Sequence, residues 1–316
     1  MTIRLLPFLL VLAFPARAEE PPWPKVFKGP PAKIIPLNTE LPDAKAWQTA
    51  RFRFLSDQPV NTAALRKFAG TIESVPQLLQ ALPLDLWAPA DTQSKPAIIL
   101  CKDEWAYLEA GGGEGSMGYY NGRKNEVIIR ADVFLTPPLA KPSRLIPKPN
   151  EDLLVHELVH LGMHRILARS SPWFYEGIAE YMAAAHISGG YYKFHDIERS
   201  IRDHIRNYLP PDADGQILLP APATLMTTTR KQWSEAVRKA RDRDAFRPYA
   251  TALLLAHYQL SSPERRALVT TYLTELTAYQ DFRKPRPTLR TDAPDTVARR
   301  LQAFWKPRGL NLRFMD

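Results

Sequence analysis

The chain has 316 residues, of which 45% are hydrophobic and 24% charged, with a formal charge of +9. These proportions belong to a globular protein and exclude a disordered or collagen-like chain. Acids interrupt the basic residues throughout, so no compact basic tract points to nucleic acid. The one cysteine, Cys101, excludes an internal disulfide.

In chain order, Arg4 precedes an apolar run from Leu5 to Phe14, and Ala16-Arg17-Ala18 follows with small residues at alternate positions. This is the layout of a signal peptide cleaved after Ala18, and the run is shorter than the roughly 20 residues a membrane span needs. The expected product is exported, periplasmic or extracellular, with no stable membrane insertion. Residues 19–50 read as a lead-in whose first part, 19–37, is proline-rich and extended rather than packed. Residues 51–149 read as an α+β sheet subdomain. Arg51–Leu55 alternates as a half-buried strand, and Asn61 is placed to cap a helix over about 62–82. Pro96–Cys101 reads as a strand with Cys101 buried at its end, followed by a short helix at Glu104–Glu109. Gly111-Gly112-Gly113 breaks the chain before a hairpin or strand at Tyr119, Tyr120 and Asn125–Arg130. Pro137, Pro138, Pro142, Pro147 and Pro149 then exclude regular structure up to Asn150.

Residues 150–316 read as a helical subdomain, with helices over about 151–168, 172–187, 195–207, 231–241, 246–260 and 263–278. The fold class expected is α+β: a mixed α/β part with a small sheet, followed by a mainly helical part. The basic segment Arg230–Arg247 contains Glu235, Asp242 and Asp244 and reads as a solvated helix surface.

The first of these helices carries N-E-D-L-L-V-H-E-L-V-H-L-G-M-H. Asn150 is placed to cap it, and Glu151 and Asp152 suit the positive end of its dipole. His156 and His160, four residues apart, sit about 40° apart around the axis and one turn apart along it. Both imidazoles can therefore reach one ion at the Zn–N distance of about 2.0–2.1 Å. Glu157 projects from the edge of the same face, where it can hold a water on the ion rather than the ion itself. Three ionisable groups within an otherwise apolar helix are costly unless they coordinate or pair. His164 drifts round the helix and reads as solvent-facing or supporting rather than as a ligand.

The next helix opens with Ser171-Pro172 and reads W-F-Y-E-G-I-A-E-Y from Trp173 to Tyr181. Here the sequence resembles the gluzincin metallopeptidases, including the peptidase MA-like group of secreted bacterial proteins. The resemblance rests on H-E-x-x-H followed by a W-x-x-E-G-x-A-E-Y helix, and covers about residues 153–182. It implies a Zn2+ cofactor held by His156, His160 and Glu176, with Glu180 as the acid that orients a metal-binding histidine. The interval from His160 to Glu176 is shorter than is usual in the family. Glu180 restores the longer interval and stays open as an alternative ligand. The resemblance also implies an oxyanion stabiliser from a later helix. Tyr249 is the first candidate, with His257 and Tyr258 behind it.

The function expected is hydrolysis of amide bonds in a peptide or protein substrate, cell-wall peptide included. In this reading Zn2+ activates water and Glu157 takes its proton. Strand Glu126–Arg130 would offer its edge to an extended substrate. The competing readings are a non-catalytic binding or scaffold protein and a cell-wall peptide amidase.

Overall fold

The computed structural model describes residues 22–38, 45–114, 116–135, 151–240, 242–281 and 283–315. The expected signal peptide, Asn150 and the proline-rich stretch before it lie outside the described residues. The order is β1 (Val26–Lys28), β2 (Ile35–Leu37), β3 (Lys45–Gln48), β4 (Arg53–Ser56), α1 (Thr62–Ala81), β5 (Ala97–Cys101), α2 (Glu104–Glu109), β6 (Gly118–Asn121), β7 (Glu126–Arg130) and α3 (Ala131–Phe134). There follow α4 (Glu151–Gly162), α5 (His164–Leu167), α6 (Pro172–Ala185), β8 (His186–Ser188), β9 (Tyr191–Lys193), α7 (Ile197–Tyr208), β10 (Ile217–Pro220), α8 (Pro222–Thr227) and α9 (Arg230–Lys239). The chain closes with α10 (Arg247–Leu260), α11 (Pro263–Ala278), α12 (Pro294–Trp305) and β11 (Leu312–Met315). The fold is α+β, a mixed sheet followed by a mainly helical part.

The main sheet runs β2-β3-β4-β5-β7-β6, with β4, β5 and β7 parallel and the other pairs antiparallel. Asn61 caps α1 by accepting from the backbone N–H groups of Ala63 and Ala64. The apolar stripe of α1 (Leu65, Phe68, Ile72, Val75, Leu79) joins Phe54, Ile98 and Val127 in the principal core. Helix α2 covers the other face through Tyr107 against Cys101 and Ile128. Burial, followed by the nearby acids Asp57 and Asp103, pushes the Cys101 thiol up to about 11, so it stays protonated and inert.

Two expectations are corrected here. The strand Glu126–Arg130 is no edge: β7 pairs with β5 on one side and β6 on the other, and Val127 to Arg130 are all buried. A near-continuous apolar run is the signature of such an interior strand, and the edge is β6. Nor is the proline-rich lead-in unpacked. Strand β1 pairs with β9, β2 pairs with β3, and Trp23 stands edge-on to Tyr181 and Phe194 at 6.3 and 6.0 Å. Pro36 is tolerated in β2 because that strand is at the edge, where a missing N–H breaks no ladder.

The helix expected over 151–168 divides into α4 and α5 for a tertiary reason. Ala88 intercepts the backbone: its N–H donates to Gly162 O at 2.8 Å and its carbonyl accepts from Arg165 N–H at 2.9 Å. Gly162 stands at the break with little room for a side chain, since a Cβ there would stand 2.6 Å from Leu79 Cδ1 and 3.2 Å from the Trp87 ring.

Helix α6 is buried along its whole length, every residue from Pro172 to Ala185, and α4 and α10 pack against it. Gly177 explains how closely α10 approaches. A Cβ at this position would lie 2.3 Å from Ala252 O, a backbone atom that cannot swing aside. Gly177→Ala is therefore expected to lower the unfolding free energy by about 1–3 kcal/mol through overpacking. Urea denaturation checks this, and an unchanged midpoint would contradict the close α6–α10 contact.

Candidate metal centre

Helices α4 and α6 bring three of the expected site residues to one point. His156 Nε2 and His160 Nε2 face each other at 2.9 Å, and Glu176 Oε2 lies 3.2 Å from each. The imidazole planes are nearly perpendicular, at 89°. All three residues are buried. Two histidines on one turn of α4 and a glutamate on a helix with no exposed face are costly in an apolar interior unless their charge and lone pairs are used.

The donor set fits a metal ion. Ligand atoms of His156, His160 and Glu176 all lie within 4.8 Å of one another. Histidine bound to a metal through Nε2 carries its proton on Nδ1, usually facing an acceptor. His156 Nδ1 faces Glu180 Oε1 at 2.9 Å, close but not in line for a well-directed hydrogen bond. His160 Nδ1 is buried without an acceptor among the described residues. Electrostatics favour a cation at this point. Burial alone would strip the proton from His156, yet Glu176 and Glu180 outweigh it and raise its pKa. Burial likewise opposes ionisation of Glu176 and Glu180, but the facing imidazoles outweigh it and hold both carboxyls below the usual range.

Glu180 does more than touch His156. Its other oxygen, Oε2, lies 2.8 Å from His204 Nε2, so the carboxylate is clamped between two imidazoles. Sequence reasoning missed His204. The available signal was its place in the stripe Ile197, Ile201, His204, Ile205, the buried face of an otherwise polar α7, where a histidine needs a polar partner.

Glu157 leans away from the three donor atoms toward the edge of the sheet. Tyr120 N–H, on β6, donates to Glu157 Oε2 at 2.9 Å, and a Cβ at Gly118 would stand 3.6 Å from Glu157 Cγ. Burial, only partly offset by the charges of His156 and His160, raises the pKa of this carboxyl. His164, expected to be solvent-facing or supporting rather than a ligand, lies 2.5 Å through Nδ1 from Tyr120 Oη and ties the start of α5 to β6. It does not join the donor set.

A cleft of about 320 Å³ adjoins the donor set on its His156 side, walled by His156, Glu157, Glu180, His204, Phe246 and Tyr249; His160 and Glu176 do not line it. Tyr249 stands edge-on to His156 at 6.0 Å and to Trp233 at 5.3 Å. Burial, then the charge of Glu176, push the Tyr249 pKa well above its ordinary value, leaving the hydroxyl a protonated donor. The two candidates ranked behind Tyr249 are corrected. His257 and Tyr258 line a separate cavity with no residue in common with the cleft, because two further turns of α10 carry them away from it.

Comparison with protein-family models and with curated proteins finds no match for this chain.

Proposed function

We propose that the chain is an exported, gluzincin-like zinc peptidase that hydrolyses amide bonds in peptides or proteins. The observation that carries this reading is the convergence of three buried donor atoms at one point, with His156 and a fourth ionisable group, Glu157, both lining the adjoining cleft. Among the described residues no helix is long and apolar enough to cross a membrane, and export rests on the N-terminal sequence alone.

His156, His160 and Glu176 would hold the zinc ion. Three protein ligands leave a position for water or substrate, as catalytic zinc sites do. When bound, the ion supplies a Lewis acid that polarises a carbonyl and makes water nucleophilic near neutral pH. Glu157 would serve as the base that takes a proton from the attacking water and returns it to the leaving amine, a task suited by its raised pKa. Glu180 fixes the ring of His156, and His204 fixes Glu180. Tyr249, kept protonated, donates to the oxygen on which negative charge develops.

Metal analysis of the purified mature chain, followed by cleavage of a mixed peptide library, tests the proposal. One zinc per chain and chelator-sensitive cleavage are expected, and replacing His156 and His160 together by Ala should abolish both. A chain that takes up no zinc from a zinc-containing buffer, or a double variant that keeps one zinc, overturns the assignment.

A further inference from the structure

His257 and Tyr258 lie at the far end of α10 from Tyr249, about 12 Å along the axis at 1.5 Å per residue. With Ser261, Arg265, Arg300 and Phe304 they line a cavity of about 440 Å³. His257 is only 5% exposed, and its ring packs among Tyr181, Phe304 and Trp305 at 5.2 to 6.4 Å. Neither ring nitrogen has a hydrogen-bond partner among the described residues. Burial pushes the ring down to about 4, so near neutral pH it offers one N–H and one lone pair. The ring is not sealed: His257 lines the cavity, where its free nitrogens can meet water or a ligand.

One guanidinium at this cavity, Arg265, has no acid within ion-pair distance among the described residues, although Asp292 and Glu264 both feel its charge. Arg300 pairs with Asp292 at 2.6 Å and donates to Tyr258 Oη at 2.8 Å, while the Tyr258 hydroxyl donates to Asp292. That closed set is neutral. The Arg308–Glu198 pair, with Arg308 stacked on Phe304 at 3.7 Å, is neutral as well. Arg265 is different. Its guanidinium lies 4.0 Å from the centre of the Tyr258 ring and donates to Ser261 Oγ at 3.1 Å, with no ion pair to an acid among the described residues. A guanidinium stacked on an aromatic ring presents a fixed fork that matches a carboxylate. Leu301 and Phe304 supply the apolar wall.

We propose that this cavity binds a small carboxylate attached to an apolar body. The carboxylate sits on the Arg265 guanidinium, which Ser261, itself donating to Tyr258 O at 2.9 Å, helps to hold; the apolar part lies against Phe304 and Leu301, and His257 donates to a polar atom between them. The chemistry suits a free aromatic acid and the C-terminus of a peptide alike. This site stands apart from the cleft and does not rest on the peptidase reading.

The test is calorimetric titration of the mature chain with three probes: 3-phenylpropionate, N-acetylphenylalanine and N-acetylphenylalanine amide. Saturable 1:1 binding of at least one acid is expected, with the amide at least tenfold weaker. Arg265→Gln should weaken the acid at least tenfold, and the His257 ring signals should shift in NMR spectra of histidine-labelled protein. Tighter binding of N-acetylphenylalanine supports the site as a receptor for peptide C-termini, and tighter binding of phenylpropionate supports it as one for free acids. Equal affinity for acid and amide overturns the proposal, as does absence of saturable binding. Acid binding that survives Arg265→Gln but disappears on zinc removal also overturns it, because the acid is then held in the cleft. If Arg265→Gln fails to fold, the acid–amide comparison and the His257 shifts on the unaltered chain decide.

Discussion

Glu157→Gln is expected to keep its zinc and lose hydrolytic activity by about 10²–10⁴-fold, the usual contribution of a positioned general base. The substitution preserves shape, and the Gln carbonyl can still accept from Tyr120 N–H, as Glu157 Oε2 does at 2.9 Å. His156, His160 and Glu176 are untouched, so the donor set that converges within 4.8 Å remains. What disappears is the capacity to take a proton. Zinc content and turnover of one peptide, measured on the same preparation, separate the two effects. Equal turnover by the Gln variant and the parent chain would remove Glu157 from the chemistry. Loss of zinc would instead make Glu157 part of the metal site.

The second large effect distinguishes the two glutamates of α6. Glu176→Ala removes one of three donor atoms, and the variant should emerge from dialysis nearly free of zinc. Glu180→Ala removes no donor atom. It removes the carboxylate that hydrogen-bonds His204 Nε2 at 2.8 Å and lies 2.9 Å from His156 Nδ1. Supporting contacts of this kind typically contribute 10–100-fold in metal affinity or activity, so the variant should still fill at saturating zinc. An empty Glu180→Ala protein beside a full Glu176→Ala protein would reverse the assignment. The arrangement in α4 and α6 favours the first outcome, since Glu176 Oε2 is equidistant from both Nε2 atoms.

Much of this site is legible in the sequence because helical spacing fixes it. His156 and His160 share a face by periodicity, and Glu176 and Glu180 share one on the next helix. The bounds expected for α11 are those observed, where Ser262 and Pro263 mark the start plainly. What stays hidden depends on partners distant in sequence. Strand β1 has only three residues and no readable alternation; it exists because Tyr191–Lys193 pairs with it. The division between α4 and α5 arises from Ala88, more than seventy positions earlier, entering the backbone ladder. His204 looks like any histidine on a helix until Glu180 is set beside it. The edge position of β6 is likewise invisible locally, because Gly118–Asn121 and Glu126–Arg130 differ in burial only after the whole sheet is ordered.

The edge strand carries one more consequence. A free strand edge is a template on which another chain can add itself, and proteins guard such edges against uncontrolled association. In β6 the guard is built from side chains. Ser116 Oγ accepts from Gly118 N–H at 3.3 Å and donates to Gly118 O at 2.6 Å, and Glu157 takes up Tyr120 N–H. A second copy of the protein approaching this edge meets backbone groups already engaged. The same side chain that would serve hydrolysis thus also occupies one of the outward backbone groups of this sheet edge.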